Sequence, residues 1–274
     1  MRQIRFYIFA FSFLALNGIY AQSKLVEGKK LNITQITSLN NTSEMMGTKM
    51  TTIIYDTVNF VVNINSIADS TIKVSCTLLK VKGIFSVMGQ EQAFASDDSL
   101  TTTNPIMSSI LKDLNKPKDF TLINGKIQSL SPVNKLATEI STASGIVADD
   151  ESVVADLFFP TNIIGRKKGY QWTSEQASDD GNQKAITIFS IDELNATDLK
   201  MNSNTSVSAK GTNKMMGYDV KQNLTGSRTT SQNFNVLTGL LSTSTQIINL
   251  TGTADVMNMN FPINMKSETK TIVE

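Results

Sequence analysis

The chain has no histidine and one cysteine among its 274 residues. These absences exclude more chemistry than any motif suggests, because most nucleophilic, metal-binding and acid–base sites draw on an imidazole or a thiolate. A lone cysteine cannot close a disulfide within the chain, so stability must come from packing. Aromatic residues make up only 7% of the chain, with a single tryptophan, which argues against an extended stacking platform for sugars. Neither sign of charge predominates: 25 Lys and Arg against 24 Asp and Glu leave a net charge of +1. That balance provides no long-range field to recruit nucleic acid or an anionic membrane. There is also no G-x-S-x-G, no phosphate-cradling glycine loop and no calcium-loop spacing. The expectation is a protein that is not an enzyme and carries neither cofactor nor metal.

What is present starts at the N-terminus. Arg2 and Arg5 precede an apolar run from Phe6 to Leu16, and Gly18-Ile19-Tyr20-Ala21 then stand before Gln22, the layout of a cleavable export signal. The run falls short of the about 20 apolar residues that span a bilayer. Cleavage is expected after Ala21, with residues 1–21 as signal peptide and delivery to the periplasm or the extracellular space. The last residues carry Lys266, Glu268 and Lys270 at alternate positions, so no transmembrane segment is expected in the mature chain. Residues 22–274 are read as a single β-rich domain, long enough to bury about 70% of its extended surface.

Alternation is the prevailing period. In Val58-Asn59-Phe60-Val61-Val62-Asn63-Ile64-Asn65 every even position is apolar, as in a half-buried antiparallel strand. Met257, Met259, Phe261, Ile263 and Met265 alternate with polar residues and Pro262 in the same way. Further strands are expected over 30–38, 48–55, 71–81, 84–88, 120–123, 126–130, 170–176, 184–191, 199–209, 218–227, 232–236 and 240–250. Asn124-Gly125 suits a two-residue hairpin. Pro262 removes a ladder donor, which places the last strand at an edge or gives it a bulge. The central third changes period. Asn104-Pro105 opens a helix with the stripe Ile106, Met107, Ile110, Leu111, Leu114, and Ser131-Pro132 opens another with Val133, Leu136, Ala137, Ile140. A third runs from Asp150 to Phe158 and stops at Pro160. The expected fold is mainly β (α+β): a large curved antiparallel sheet or partly open barrel, with two or three helices from the central third packed on it.

Segments spread along the mature chain carry a resemblance. They are Met46-Gly47-Thr48-Lys49-Met50-Thr51-Thr52, Thr71-Ile72-Lys73-Val74, Ala95-Ser96-Asp97-Asp98, Gly125 with Ile127 and Ser129, Phe159-Pro160, Gly165, Trp172 and Asn235-Val236-Leu237-Thr238-Gly239-Leu240. In these the chain resembles a family of uncharacterised exported proteins of Bacteroidetes-type bacteria, defined only as a domain of unknown function. The resemblance implies an envelope protein of antiparallel β architecture and brings no functional residues with it.

Four features compete as candidate sites. The pairs Asp97-Asp98, Asp149-Asp150 and Asp179-Asp180 could serve as paired acids, but they stand beside turn and helix-start residues, where Asp satisfies local backbone donors. Arg166-Lys167-Lys168 precede Tyr170 and Trp172, read either as an anion or sugar contact or as a solvated turn beside a packed tryptophan. Cys76 shares a strand face with Ile72, Val74 and Leu78 and is read as core. Asp56-Thr57-Val58 is among the triplets that resemble the O-glycan acceptor pattern of exported Bacteroidetes proteins. The methionine stripe is the most suggestive, because Met adapts to irregular apolar ligands. Met257, Met259, Phe261, Ile263 and Met265 are accordingly the candidate lining of a cavity. The expected partner is a lipid or other apolar small molecule, alternatively an envelope protein. Helices lying across a half-open sheet are how periplasmic lipid carriers enclose acyl chains, an analogy of architecture alone.

Overall fold

The structure, a computed structural model, describes residues 25–45, 47–98, 111–127, 150–160, 163, 165–177, 182–215, 218–256 and 259–274. The described strands are β1 (Lys30–Met45), β2 (Thr48–Ala68), β3 (Thr71–Val87), β4 (Gln90–Ala95), β5 (Pro117–Ile123), β6 (Lys126–Ile127), β7 (Gln171–Ala177), β8 (Gln183–Leu194), β9 (Asp198–Met215), β10 (Tyr218–Asn235), β11 (Leu240–Val256) and β12 (Met259–Val273). All join one antiparallel sheet in the order β6-β5-β3-β2-β1-β12-β11-β10-β9-β8-β7, with β4 also on β3. Two meanders therefore meet at β1 and β12, the first and last of the described strands. Asn32 and Glu274 exchange backbone hydrogen bonds of 2.9 Å there.

The sheet is open, since β6 and β7 at its two ends do not pair, but it curls strongly. Ile127 of β6 and Gln176 of β7 line one cavity, so the two extremities of the strand order face each other across the interior. One helix, α1 (Asp150–Asp156), is present among the described residues, where two or three were expected. The expected helices over 104–114 and 131–140 fall largely outside the described residues. Of the first stripe, Leu111 and Leu114 are described, and Leu114 forms a bridge to Leu78. Asp150 and Glu151 in the first turn of α1 favour the positive end of its dipole. Val153 and Val154 are buried, and the chain beyond the helix hooks onto β11. Leu241 N donates to Leu157 O at 2.8 Å, and Phe159 N to Gly239 O at 2.8 Å. The helix and this hook fill one end of the curled sheet. The main core gathers there, from Leu31, Ile33, Phe60, Val62, Val74 and Leu122 on one side to Ile191, Leu199, Phe234 and Leu241 on the other.

Hairpin turns mark the opposite, mouth end. Met45 pairs with Thr48, Val87 with Gln90, Met215 with Tyr218 and Val256 with Met259, each leaving two residues for the turn. In the turn between β3 and β4, Met88 and Gly89 both have positive φ, as a type I′ turn requires. The expected Asn124-Gly125 hairpin forms, with Ile123 opposite Lys126 and both turn residues at positive φ.

One strand placement is corrected. β12 lies in the middle of the sheet, between β1 and β11, and shows no bulge at Pro262. Its ladder with β1 runs from Val273 only to Ile263, so the proline stands just past the last β1 pair and removes no donor from that ladder.

Candidate functional site

Period two assigns each strand an inner and an outer face, and the inner face has three levels. At the plug end it is the main core. Toward the mouth, Leu39, Ile54, Leu224, Leu250, Val207, Ala185 and Met265 form a second buried apolar cluster, with Phe85, Ile248 and Ile263 against it. This belt runs through in-register pairs such as Phe85 with Ile54, Ile54 with Leu39, Met265 with Leu250 and Val207 with Ala185. Between the two apolar levels the face turns polar. Gly83, Asp56, Thr37, Thr269, Gln246, Thr230 and Ser203 are successive cross-strand partners from β3 to β9.

A cavity of about 300 Å3 opens over this polar belt, lined by Thr187, Phe189, Ser203, Arg228, Thr230, Gln232 and Gln246, with Asp156 and Lys126 opposite. Thr187 and Thr205, both buried, share a hydroxyl hydrogen bond of 3.0 Å beside it. A second concavity of about 690 Å3 lies at the mouth beside Phe85, Val87 and Met88. Both volumes fall in the range of small-ligand sites.

Asp56 is the anomaly of the belt. It is 5% exposed, stands on the inner face between Ile54 and Val58, and has one carboxyl oxygen without a hydrogen-bond partner. Burial raises its pKa to about 7, against the lowering effect of the Thr37 hydroxyl that bonds it. Asn41, on the same face of β1, also buries an unpartnered side-chain oxygen. Buried acceptors left unpaired are uncommon and costly. Opposite Asp56, Gly83 has no room for a side chain: a Cβ there would lie 2.2 Å from the Tyr55 carbonyl oxygen and 2.6 Å from the Phe94 ring.

The expected lining residues are distributed otherwise. Met265 is buried in the mouth belt and Ile263 packs against that belt. Met259 and Phe261 are half-buried near the hairpin end of β12, and Met257 lies outside the described residues. Met259, Phe261, Ile263 and Met265 are not among the residues that line the 300 Å3 cavity, whose walls come from β6, α1 and β7 to β11. Among the carboxylate pairs, Asp97 stands in a turn and contacts Lys80 at 2.6 Å, which holds its pKa below the usual range. Lys118 bridges Asp113 at 2.8 Å and Asp150 at 3.0 Å. Asp149, Asp179 and Asp180 lie outside the described residues. No group of three potential metal-ligating side chains occurs among the described residues.

The basic cluster is a turn with exposed Arg166, Lys167 and Lys168. The Arg166 guanidinium lies 4.4 Å over the Tyr170 ring, Tyr170 stacks on Trp172 at 5.6 Å, and Trp172 stacks on Phe189 at 4.8 Å. Because Phe189 lines the cavity, the single tryptophan is one ring away from it. Cys76 is fully buried in the main core, and its thiol is pushed up to about 12, by burial first and then by the Asp150 charge. A thiol-reactive chromogenic disulfide should therefore leave the native protein unmodified and titrate one thiol after unfolding. Rapid modification of native protein would contradict that placement.

The comparisons bear on the fold. No family model and no curated protein matches the chain. Among solved structures it is similar to lipovitellin, in a study of lipid–protein interactions in that protein, with 7% identity and a TM-score of 0.53. The match covers 92% of this chain and 25% of the lipovitellin chain, so this chain spans about a quarter of that protein. An outer membrane channel from Pseudomonas putida F1 aligns over 94% of this chain and 98% of its own at 8% identity, with a TM-score of 0.29, too low to relate the two architectures. The likeness to lipovitellin is one of fold: a large, open, curled antiparallel sheet.

Proposed function

We propose that this chain is an exported, non-enzymatic envelope protein that shelters a lipid-sized amphiphile on the inner face of its curled sheet. One observation carries the reading: an apolar belt crosses that face from Phe85 and Ile54 to Val207 and Ala185 at the mouth, with a polar belt and a cavity behind it. A closed core would become uniformly apolar inward, whereas oil beyond a polar level matches a molecule with two chemistries. The similarity of fold to lipovitellin supports the same reading.

The test is titration with a fluorescent fatty acid whose emission rises in apolar surroundings. Saturable binding to the wild type is expected, weakened about tenfold by Ile263→Ser at the belt margin, since each buried methylene is worth about 0.8 kcal/mol. Leu250→Asn should abolish it. Wild-type protein that gives no saturable signal would overturn the reading.

A second reading, an interaction protein, has one observation in its favour. On the outer face Tyr55 and Ile84 are cross-strand partners and are 55% and 43% exposed. A protein partner captured from envelope extracts by the wild type and lost with Tyr55→Ser, alongside a ligand-free interior, would favour it.

A further inference from the structure

We infer that the polar belt and the cavity over it form a headgroup subsite for an uncharged, hydroxyl-rich group, the sugar or polyol end of an amphiphile whose chains lie toward the mouth. This rests on the carrier reading and adds to it an orientation and a headgroup class.

The belt is built of groups that both donate and accept. Thr37, Thr269, Gln246, Thr230 and Ser203 stand in one in-register row from β1 to β9, and each offers hydroxyl or amide donors and acceptors on the same side chain. A row that alternates both functions along the sheet matches a ring of vicinal hydroxyls, which also donate and accept at every position. Strand neighbours are about 4.8 Å apart, close to the spacing between hydroxyls on opposite sides of a sugar ring. The cavity sits over the β9–β11 end of the row, where Ser203, Thr230 and Gln246 form its floor.

Charge argues for a neutral group. The row carries none between Asp56 and Ser203. At the cavity, Arg228 and the exposed Lys126 share the wall with the Asp156 carboxylate, so no single sign is concentrated as an ionic headgroup would require. Asp56, at one end of the row, keeps a buried carboxyl oxygen without a hydrogen-bond partner. That oxygen lacks a donor, and hydroxyls supply donors without bringing a charge into a buried site. The apolar belt lies on the mouth side of the row, so the headgroup enters first and the chains close behind it.

The experiment uses three probes with one tail and different heads: dodecyl maltoside, dodecyl phosphocholine and dodecyl sulfate, each below its micellar concentration. Binding is read from Trp172, which stacks on the cavity residue Phe189. The maltoside should bind about tenfold tighter than the phosphocholine and the sulfate, one to two hydrogen bonds' worth. The double variant Thr230→Val with Gln246→Leu should remove that advantage while leaving the other two within about twofold. Far-UV circular dichroism and melting of the variant show that the sheet is intact, and Thr230→Ser should retain the preference. Equal binding of all three probes, unchanged in the double variant, would overturn the headgroup subsite and leave the carrier. Preference for the phosphocholine or the sulfate would also overturn it, in favour of an ionic head. No binding of any probe removes both readings.

Discussion

Gly226→Val is expected to leave no folded protein, whereas Gly211→Val, one strand away, should fold normally. Gly226 lies in β10 opposite Leu250 of β11. A Cβ placed there would stand 1.9 Å from the Asn249 carbonyl oxygen and 2.9 Å from the Leu250 Cα. The obstruction is backbone, which cannot rotate away, so β10 and β11 must separate at the middle of their ladder. Overpacking in ordinary cores costs about 1–3 kcal/mol, and prying a central ladder apart also breaks hydrogen bonds and uncovers the Leu224 and Leu250 belt. A loss beyond about 5 kcal/mol meets the whole stability of a typical domain. Gly211 in β9 is exposed and has nothing within 4 Å of its Cβ direction. A β-branched residue there suits the strand, and its effect should stay within about 1 kcal/mol. Soluble yield and far-UV circular dichroism of the two variants side by side decide the matter. Equal yields would mean that β10 and β11 do not meet in this register.

Stability should fall as pH rises from about 4 to about 7, and Asp56 is the reason. Its folded pKa is raised to about 7 from an ordinary 3.8, so the folded protein holds the proton more tightly than the unfolded chain. The protonated form is the one the fold favours. Its contribution is complete below the unfolded value and is lost as pH climbs through the folded value, after which the carboxylate must be buried charged. The rise from 3.8 to about 7 corresponds to at most ~4 kcal/mol. The wild type should therefore melt higher at about pH 5 than at about pH 8. Asp56→Asn should be nearly flat over that interval and the more stable of the two at about pH 8. Asp97 and Asp113 are shifted the other way by Lys80 and Lys118, so their contributions fade only at more acid pH and leave this window clear. A wild type that gains stability from about pH 5 to about pH 8 would contradict the inward placement of Asp56.

The sequence errors share a physical cause. Alternation locates most of the sheet, yet β2, β3 and β10 each appeared as two short strands, broken near Asp56-Thr57, Lys82-Gly83 and Arg228-Thr229-Thr230. Each is continuous in the structure. Asp56, Gly83 and Thr230 lie in one transverse row of the polar belt, so the period was intact and only its chemistry changed. Polar residues on the inner face look like turns to a reading that equates inside with apolar. Extending the even-numbered face of Val58–Ile64 back by one step would have placed Asp56 inside, where an O-glycan acceptor reading of Asp56-Thr57-Val58 does not suit it. β4 was missed because Phe94 is the one large apolar side chain in Gln90–Ala95 and because Met88 is an unusual residue for a positive-φ turn. The cavity was not legible at all. Its walls come from strands far apart in the chain, and no local pattern records which edges of a curled sheet will face each other.

Whether the inner face houses an amphiphile is decided by native mass spectrometry of protein purified without detergent. A population heavier than the bare chain by one lipid-sized mass is expected, which organic extraction removes and restored lipid returns. A spectrum of bare chain alone, unchanged after incubation with lipid vesicles, would contradict it.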